Sequence, residues 1–264
     1  MFAEITSITI LGGRSKSGEL EQAEITLVPG DLVAVVGPTG SGKSRLLADI
    51  EYIAQRDTPS GRQILINGEV AEPAVRFAWG RRLIAQLSQN MNFVMDATVA
   101  EFISMHAECR EEAISGSSEA DLIARVISQA NLLTGEPITQ DSPLTSLSGG
   151  QSRALMIADT AVLSDSPIVL IDEIENAGID RRQALDVLVR NQKIVLMATH
   201  DPILALLAER RIVLKGGAMV KVLESSADES ALLVELQRAD AAMIAIREQL
   251  RRGESLAPTA FRYR

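Results

Sequence analysis

The sequence predicts an α/β fold organised around a mostly parallel sheet, with an antiparallel β layer and a helical insert. Two observations carry this: strand-sized apolar runs alternate with helix-sized segments from residue 32 to about 222, and one of those strands runs through a glycine-rich loop into a helix. With 46% apolar and 23% charged residues the chain can bury a substantial core and lies away from disordered composition.

The amino-terminal part reads as two short strands, one carrying Ile5, Ile8 and Ile10 and one carrying Ile25, Leu27 and Val28, joined by the turn-rich stretch from Gly12 to Gly18. Leu32 to Val36 reads as a buried strand, followed by the glycine loop and a helix through RLLADIEYIA. Gln63 to Val70 reads as a further alternating strand, ending at Asn67-Gly68. Residues 97 to 133 carry helix formers with apolar positions at Val99, Phe102, Ile103, Leu122, Ile123, Val126 and Ile127, broken by the turn at 115 to 118. A helix at about 150–163, a strand at 168–171, a helix at about 180–190, a strand at 193–198 and a βαβ-like passage to Val222 complete the alternation. In such a fold, ligands belong at the carboxyl ends of the strands.

The tail changes character from Glu224. Ser226 to Glu229 fits a capping box and Gly253 a helix stop, while Leu232, Leu236, Ala239, Met243, Ile246 and Leu250 step by 4, 3, 4, 3, 4. That seam suits either a helix packed on its own domain or one paired with another subunit. The expected organisation is thus a domain over 1–223, with the helical subdomain at about 92–163, and a helical tail over 224–264.

The net charge of −9 disfavours nucleic acid as a partner. No apolar run approaches the roughly 18 residues of a membrane span. The amino terminus shows no leader signature, and the single cysteine, Cys109, forms neither an internal disulfide nor a metal cluster, so a reduced cytoplasmic setting is expected.

Three elements carry chemistry. The run Gly37, Pro38, Thr39, Gly40, Ser41, Gly42, Lys43, Ser44 fits G-x-x-x-x-G-K-[ST]. Its backbone N–H groups can converge on phosphate oxygens, Lys43 adds a point charge at the β/γ-phosphates, and the Ser44 hydroxyl can ligate Mg²⁺, with Arg45 following at the helix start. Pro167 to Glu173 is an apolar strand ending in two carboxylates: Asp172 would hold the metal or its water, and Glu173 would orient or deprotonate the attacking water. Leu147, Ser148, Gly149, Gly150 and Gln151 precede a helix whose start offers another anion-binding end.

With these elements in this order, residues 2–222 resemble the ATP-binding cassette ATPases. The resemblance implies that the nucleotide is ATP, that Gln89 in LSQNMNF is the Q-loop glutamine and a metal contact, that Ala177-Gly178-Ile179-Asp180 is the D-loop, and that His200 in ATHDP is the histidine meeting the γ-phosphate. It also implies a homodimer or heterodimer closing on ATP, in which Ser148 and Gly150 act in trans. Two departures stand out. The position 23 residues before Gly37, where the family carries an adenine-stacking aromatic, is Arg14, whose guanidinium plane can stack on a base or simply be solvated. The stretch from Asp172 to Asp180 also lacks the Pro, Thr and Ser common in transporter versions. The implied function is Mg²⁺-dependent ATP hydrolysis, as the subunit of a transporter whose membrane permease subunits are separate chains, placing the protein peripherally at the inner face of the membrane, or as a soluble ATPase that remodels a protein complex. A regulatory subunit that barely hydrolyses is disfavoured by Glu173 and His200.

Overall fold

The computed structural model describes residues 5–76, 83–88, 92–109, 118–172 and 179–256. A four-stranded antiparallel sheet forms from β1 (Ile8–Leu11), β2 (Ile25–Leu27), β4 (Gln63–Ile66) and β5 (Glu69–Val70) in the order β2-β1-β4-β5. The expected single strand over 63–70 is in fact a hairpin. Asn67 and Gly68 both hold positive φ, 52° and 81°, the backbone that a two-residue turn matching strand twist demands, so the chain reverses there.

Between β3 (Leu32–Val36) and the second half of the chain lie α1 (Lys43–Glu51), the short α2 (Pro73–Arg76), β6 (Ile84–Leu87), α3 (Val99–Glu108), α4 (Glu119–Leu133) and α5 (Gly149–Val162). Capping explains the starts of α3 and α4. Thr98 accepts from the Glu101 N–H while Glu101 reaches back to Thr98, and Ser118 accepts from Asp121. Then follow β7 (Ile168–Asp172), α6 (Arg181–Arg190), β8 (Ile194–Ala198), α7 (Pro202–Leu207), β9 (Arg210–Lys215), β10 (Ala218–Glu224) and α8 (Ala227–Arg251).

The main sheet runs β10-β9-β3-β8-β7-β6, parallel except for the edge strand β10, which turns back on β9. Its central strands β3, β8 and β7 are apolar on both sides because both faces are covered. Along β7, Ile168 and Leu170 join Leu46, Leu47, Ile50 and the antiparallel layer, whereas Val169 and Ile171 join Phe102, Ile103, Leu122, Val126 and Leu155 from the helices. Alternation of single side chains across one sheet thus builds two cores.

A charged cluster is sealed beneath the first core. Arg62 is wholly buried, and its guanidinium donates to both oxygens of Glu21, to Asp49 Oδ2 at 2.8 Å and to the Gly217 carbonyl at 2.6 Å. Glu21 in turn accepts from the N–H groups of Gly13 and Met219, each at 2.8 Å. One side chain therefore joins the arm over 12–21, α1 and the β9–β10 turn.

The tail is one helix of 25 residues, begun by Ser226 and Glu229 as a reciprocal cap. It is tied down at its start and near its middle: Arg211 donates to Glu229 at 2.5 Å and Arg181 to Asp240 at 3.1 Å, and α8 packs against α7. The seam is not the buried face throughout, since Leu232, Met243 and Leu250 are 51%, 39% and 57% exposed. Among the described residues no helix is long and apolar enough to cross a membrane.

Candidate functional site

Strand order brings the predicted chemistry together. β8 lies between β3 and β7, and the register puts Val35, Ala198 and Asp172 side by side. Adjacent strands are about 4.8 Å apart, so the chain leaves all three carboxyl ends into one crevice. From Val36 it enters the loop of Gly37 to Ser44, from Ala198 it reaches His200, and β7 ends on Asp172 itself.

The loop is shaped by its glycines. Gly37, Gly40 and Gly42 have φ of 154°, 76° and 105°. A Cβ on Gly37 would sit 2.4 Å from the Leu214 carbonyl oxygen, so no other residue fits against β9. The Gly217 N–H donates to the Ser41 carbonyl at 2.9 Å, so the β9–β10 turn braces the loop, and Arg62 holds that turn from below. Ser41 is buried, and its hydroxyl finds no partner among the described residues.

Lys43 starts α1 and points back into the loop. Its Nζ donates to the Gly37 carbonyl at 3.0 Å and lies 2.9 Å from His200 Nε2. An ammonium can only donate, so in this contact Nε2 accepts and the ring proton sits on Nδ1. Ser44, next along, directs its hydroxyl at Asp172 Oδ2, 3.4 Å away. Residues 43, 44, 172 and 200 thus converge from three strand ends. A hydroxyl and a carboxylate are hard oxygen donors of the kind Mg²⁺ takes, with water and substrate phosphate completing its shell, and no cluster of three or more His, Cys, Asp or Glu among the described residues competes as a metal cage.

The remaining predicted residues are distributed as follows. Ser148 caps α5, accepting from the Gln151 N–H at 3.3 Å while Gln151 Oε1 accepts from the Ser148 N–H at 2.9 Å, which leaves Ser148 and Gly149 exposed at the helix start. Asp180 caps α6 through the Gln183 N–H at 3.0 Å, and its own N–H donates to the Leu133 carbonyl. Asp201, beside His200, caps α7 and pairs with Arg181, which also holds Asp240 of α8. Pro38, Thr39 and Arg45 are exposed on the loop and helix start. Arg14 is exposed too, with its guanidinium on the Gly18 carbonyl of its own loop at 3.3 Å. Gln89, Glu173, Ala177 and Gly178 lie outside the described residues. The second histidine, His106, pairs with the buried Asp159 at 3.0 Å and stacks against Phe102, tying α3 to α5 away from the crevice.

Comparison with known proteins decides the family. The sequence profile described as ABC transporter matches residues 20–176. An uncharacterised ABC transporter ATP-binding protein of Methanocaldococcus jannaschii is 53% identical over 96% of this chain and 95% of its own length. The chain belongs to the ABC transporter family. It is an ATP-binding ATPase of that family. Another member, the ABC transporter ATP-binding protein YxdL of Bacillus subtilis, is 31% identical over 76% of this chain and 77% of its own. The ATP-dependent lipid A-core flippase of Burkholderia pseudomallei is 28% identical over 83% of this chain, which spans 36% of that longer protein. The ABC fold is seen again in cbiO1 from Clostridium perfringens, part of the transporter complex cbiONQ, with TM-score 0.60, 21% identity and coverage of 93% of this chain and 97% of that one. A dimeric ATP-binding cassette in a post-hydrolysis state with ADP and phosphate superposes with TM-score 0.57 at 21% identity, covering 83% of this chain and 99% of that one.

Proposed function

We propose that the chain binds Mg²⁺·ATP on the loop of Gly37 to Ser44 and hydrolyses it as the ATP-binding subunit of an ABC transporter, working on separate membrane permease subunits. The observation that carries the reading is the Lys43 ammonium standing between Gly37 O and His200 Nε2, beside Ser44 and Asp172. On nucleotide binding, Lys43 exchanges two neutral acceptors for charged phosphate oxygens, which hold a cation about twice as strongly. His200 is thereby released to face the terminal phosphate. Ser44 and Asp172 would hold the Mg²⁺, which when bound neutralises charge on the β- and γ-phosphates. Glu173, at the next position after Asp172, is assigned to orienting the lytic water, and Gln89 to contacting the metal.

The exposed start of α5 suits a role in trans. The Ser148 N–H is taken by Gln151 Oε1, and the helix start formed by Ser148 and Gly150 would close on the ATP of a second subunit, with Asp180 contributing to the same interface. Dimer closure is then an interface made by the ligand and lost with it. The relatives named as transporter components favour membrane partners over the soluble remodelling role, and the lack of a membrane-crossing helix among the described residues fits attachment through those partners.

The test is Glu173→Gln in the full chain. It should retain ATP binding, lose nearly all turnover and run as an ATP-dependent dimer on gel filtration. Monomer only, together with unchanged hydrolysis, would sink the proposal. Co-purification of a multispanning partner supports transport, and a soluble complex in its place overturns that part.

A further inference from the structure

The arm over residues 12–21 reaches the β9–β10 turn and the phosphate loop through a lysine. Lys16 donates its backbone N–H to the Gly216 carbonyl at 2.8 Å, its stem lies against Gly217, and its Nζ donates to the Gly40 carbonyl at 2.8 Å. Gly40 is an exposed glycine of the loop, so the ammonium rests on the rim of the cradle on a neutral carbonyl. Arg14, two residues earlier, instead folds its guanidinium onto Gly18.

The arm is not a loose loop. Its base is fixed by the Gly13 N–H on Glu21, by Glu21 on the buried Arg62, and by an Arg14–Leu20 bridge that pairs its two sides. An exposed lysine ordinarily loses much of a contact's worth to side-chain freedom. Here the backbone on one side and the packed stem on the other hold Nζ over the loop before any ligand arrives.

We propose that Lys16 is a further cationic contact to the nucleotide phosphates beside Lys43, and that it carries affinity without reading the base. The proposal rests on the assignment of the Gly37 to Ser44 loop to triphosphate. An ammonium with three donors, one of them spent on a neutral carbonyl, gains by turning to a phosphate oxygen. No aromatic residue occurs between Gly12 and Glu21, so the arm offers charge to the phosphates where a ring would have offered stacking to the base. Affinity for ATP and GTP should therefore be similar.

The experiment measures binding of ATP, GTP and inorganic tripolyphosphate by calorimetry to the full chain and to its Lys16→Ala, Lys16→Gln and Lys16→Arg variants, at two salt concentrations. Lys16→Ala and Lys16→Gln should weaken all three probes by a common factor of about 5–20 and flatten the salt dependence, because a charge-assisted bond at an exposed site is lost. Lys16→Arg should stay within about threefold of the parent. Since the side chain is exposed, melting temperatures should be unchanged. The proposal is overturned if Lys16→Ala binds all probes like the parent, if Lys16→Gln restores affinity, or if ATP is weakened while GTP is not. A parent chain that binds no triphosphate, alongside Lys43→Ala behaving identically, would instead defeat the underlying site assignment.

Discussion

Replacing Arg62 by alanine is the most severe test of how this fold supports its loop. Arg62 and Glu21 are 0% exposed and Asp49 is 1%, so truncation leaves two carboxylates in an environment that water does not reach. Four donated bonds disappear, three of them to charged oxygens. Removing one partner of a buried ion pair costs about 3–5 kcal/mol. Some compensation remains: Glu21 keeps the Gly13 and Met219 N–H groups, and Asp49 keeps the Ser60 hydroxyl at 2.7 Å. A loss of about 4 kcal/mol is expected, a large share of the roughly 5–15 kcal/mol that holds a typical domain. Arg62→Lys should recover less than half, because one ammonium cannot span Glu21, Asp49 and the Gly217 carbonyl together. Urea unfolding with unchanged slope is the assay. If Arg62→Ala loses less than about 1 kcal/mol, the cluster is not a buried ionic joint and the reasoning fails.

Two further outcomes follow from the helix ends. Ser148→Arg should lose about 1 kcal/mol of stability with its cap, keep nucleotide binding and abolish both ATP-dependent dimerisation and turnover; affinity falling as far as in Lys43→Ala would show that Ser148 serves its own subunit. The Glu229 carboxyl is held below the usual glutamate range, first by the hydrogen bond from Arg211 and then by the Ser226 N–H. A depressed folded value means that this contribution is complete above the unfolded value and is lost as pH falls through the folded one. Helix α8 should therefore stay docked at mildly acidic pH and loosen only in stronger acid, and amide exchange in α8 that already accelerates above the usual glutamate range would contradict this.

The parts of the fold that were legible are those written in a short window. Two-sided burial makes β3, β7 and β8 continuous apolar runs, and the glycine loop between β3 and α1 has one chemistry that fits its spacing. Capping residues Ser226 and Glu229 likewise act on neighbours three residues away. The hairpin at Asn67-Gly68 was legible in part, since that dipeptide is a strong turn signal that ends β4, but the return strand Glu69–Val70 is only two residues long and shows no alternation of its own. The buried cluster was out of reach. Glu21, Asp49 and Arg62 look like ordinary surface charges until three separate elements fold over them, and Lys16 looks like part of a polar turn until the β9–β10 corner is placed beneath it.

The tail shows why a periodic pattern constrains less than it suggests. The seam from Leu232 to Leu250 defines an apolar stripe, yet what fixes α8 is a pair of ions beside that stripe, Glu229 on Arg211 and Asp240 on Arg181. Arg181 also grips Asp201, the residue after His200, so the helix is joined through one guanidinium to the loop that carries the histidine at Lys43. All the sequence motifs for ATP lie before residue 201, yet the ion pairs link the tail to them: Asp240 shares Arg181 with Asp201, and anything that drew Asp240 away would change the charge balance one residue from His200.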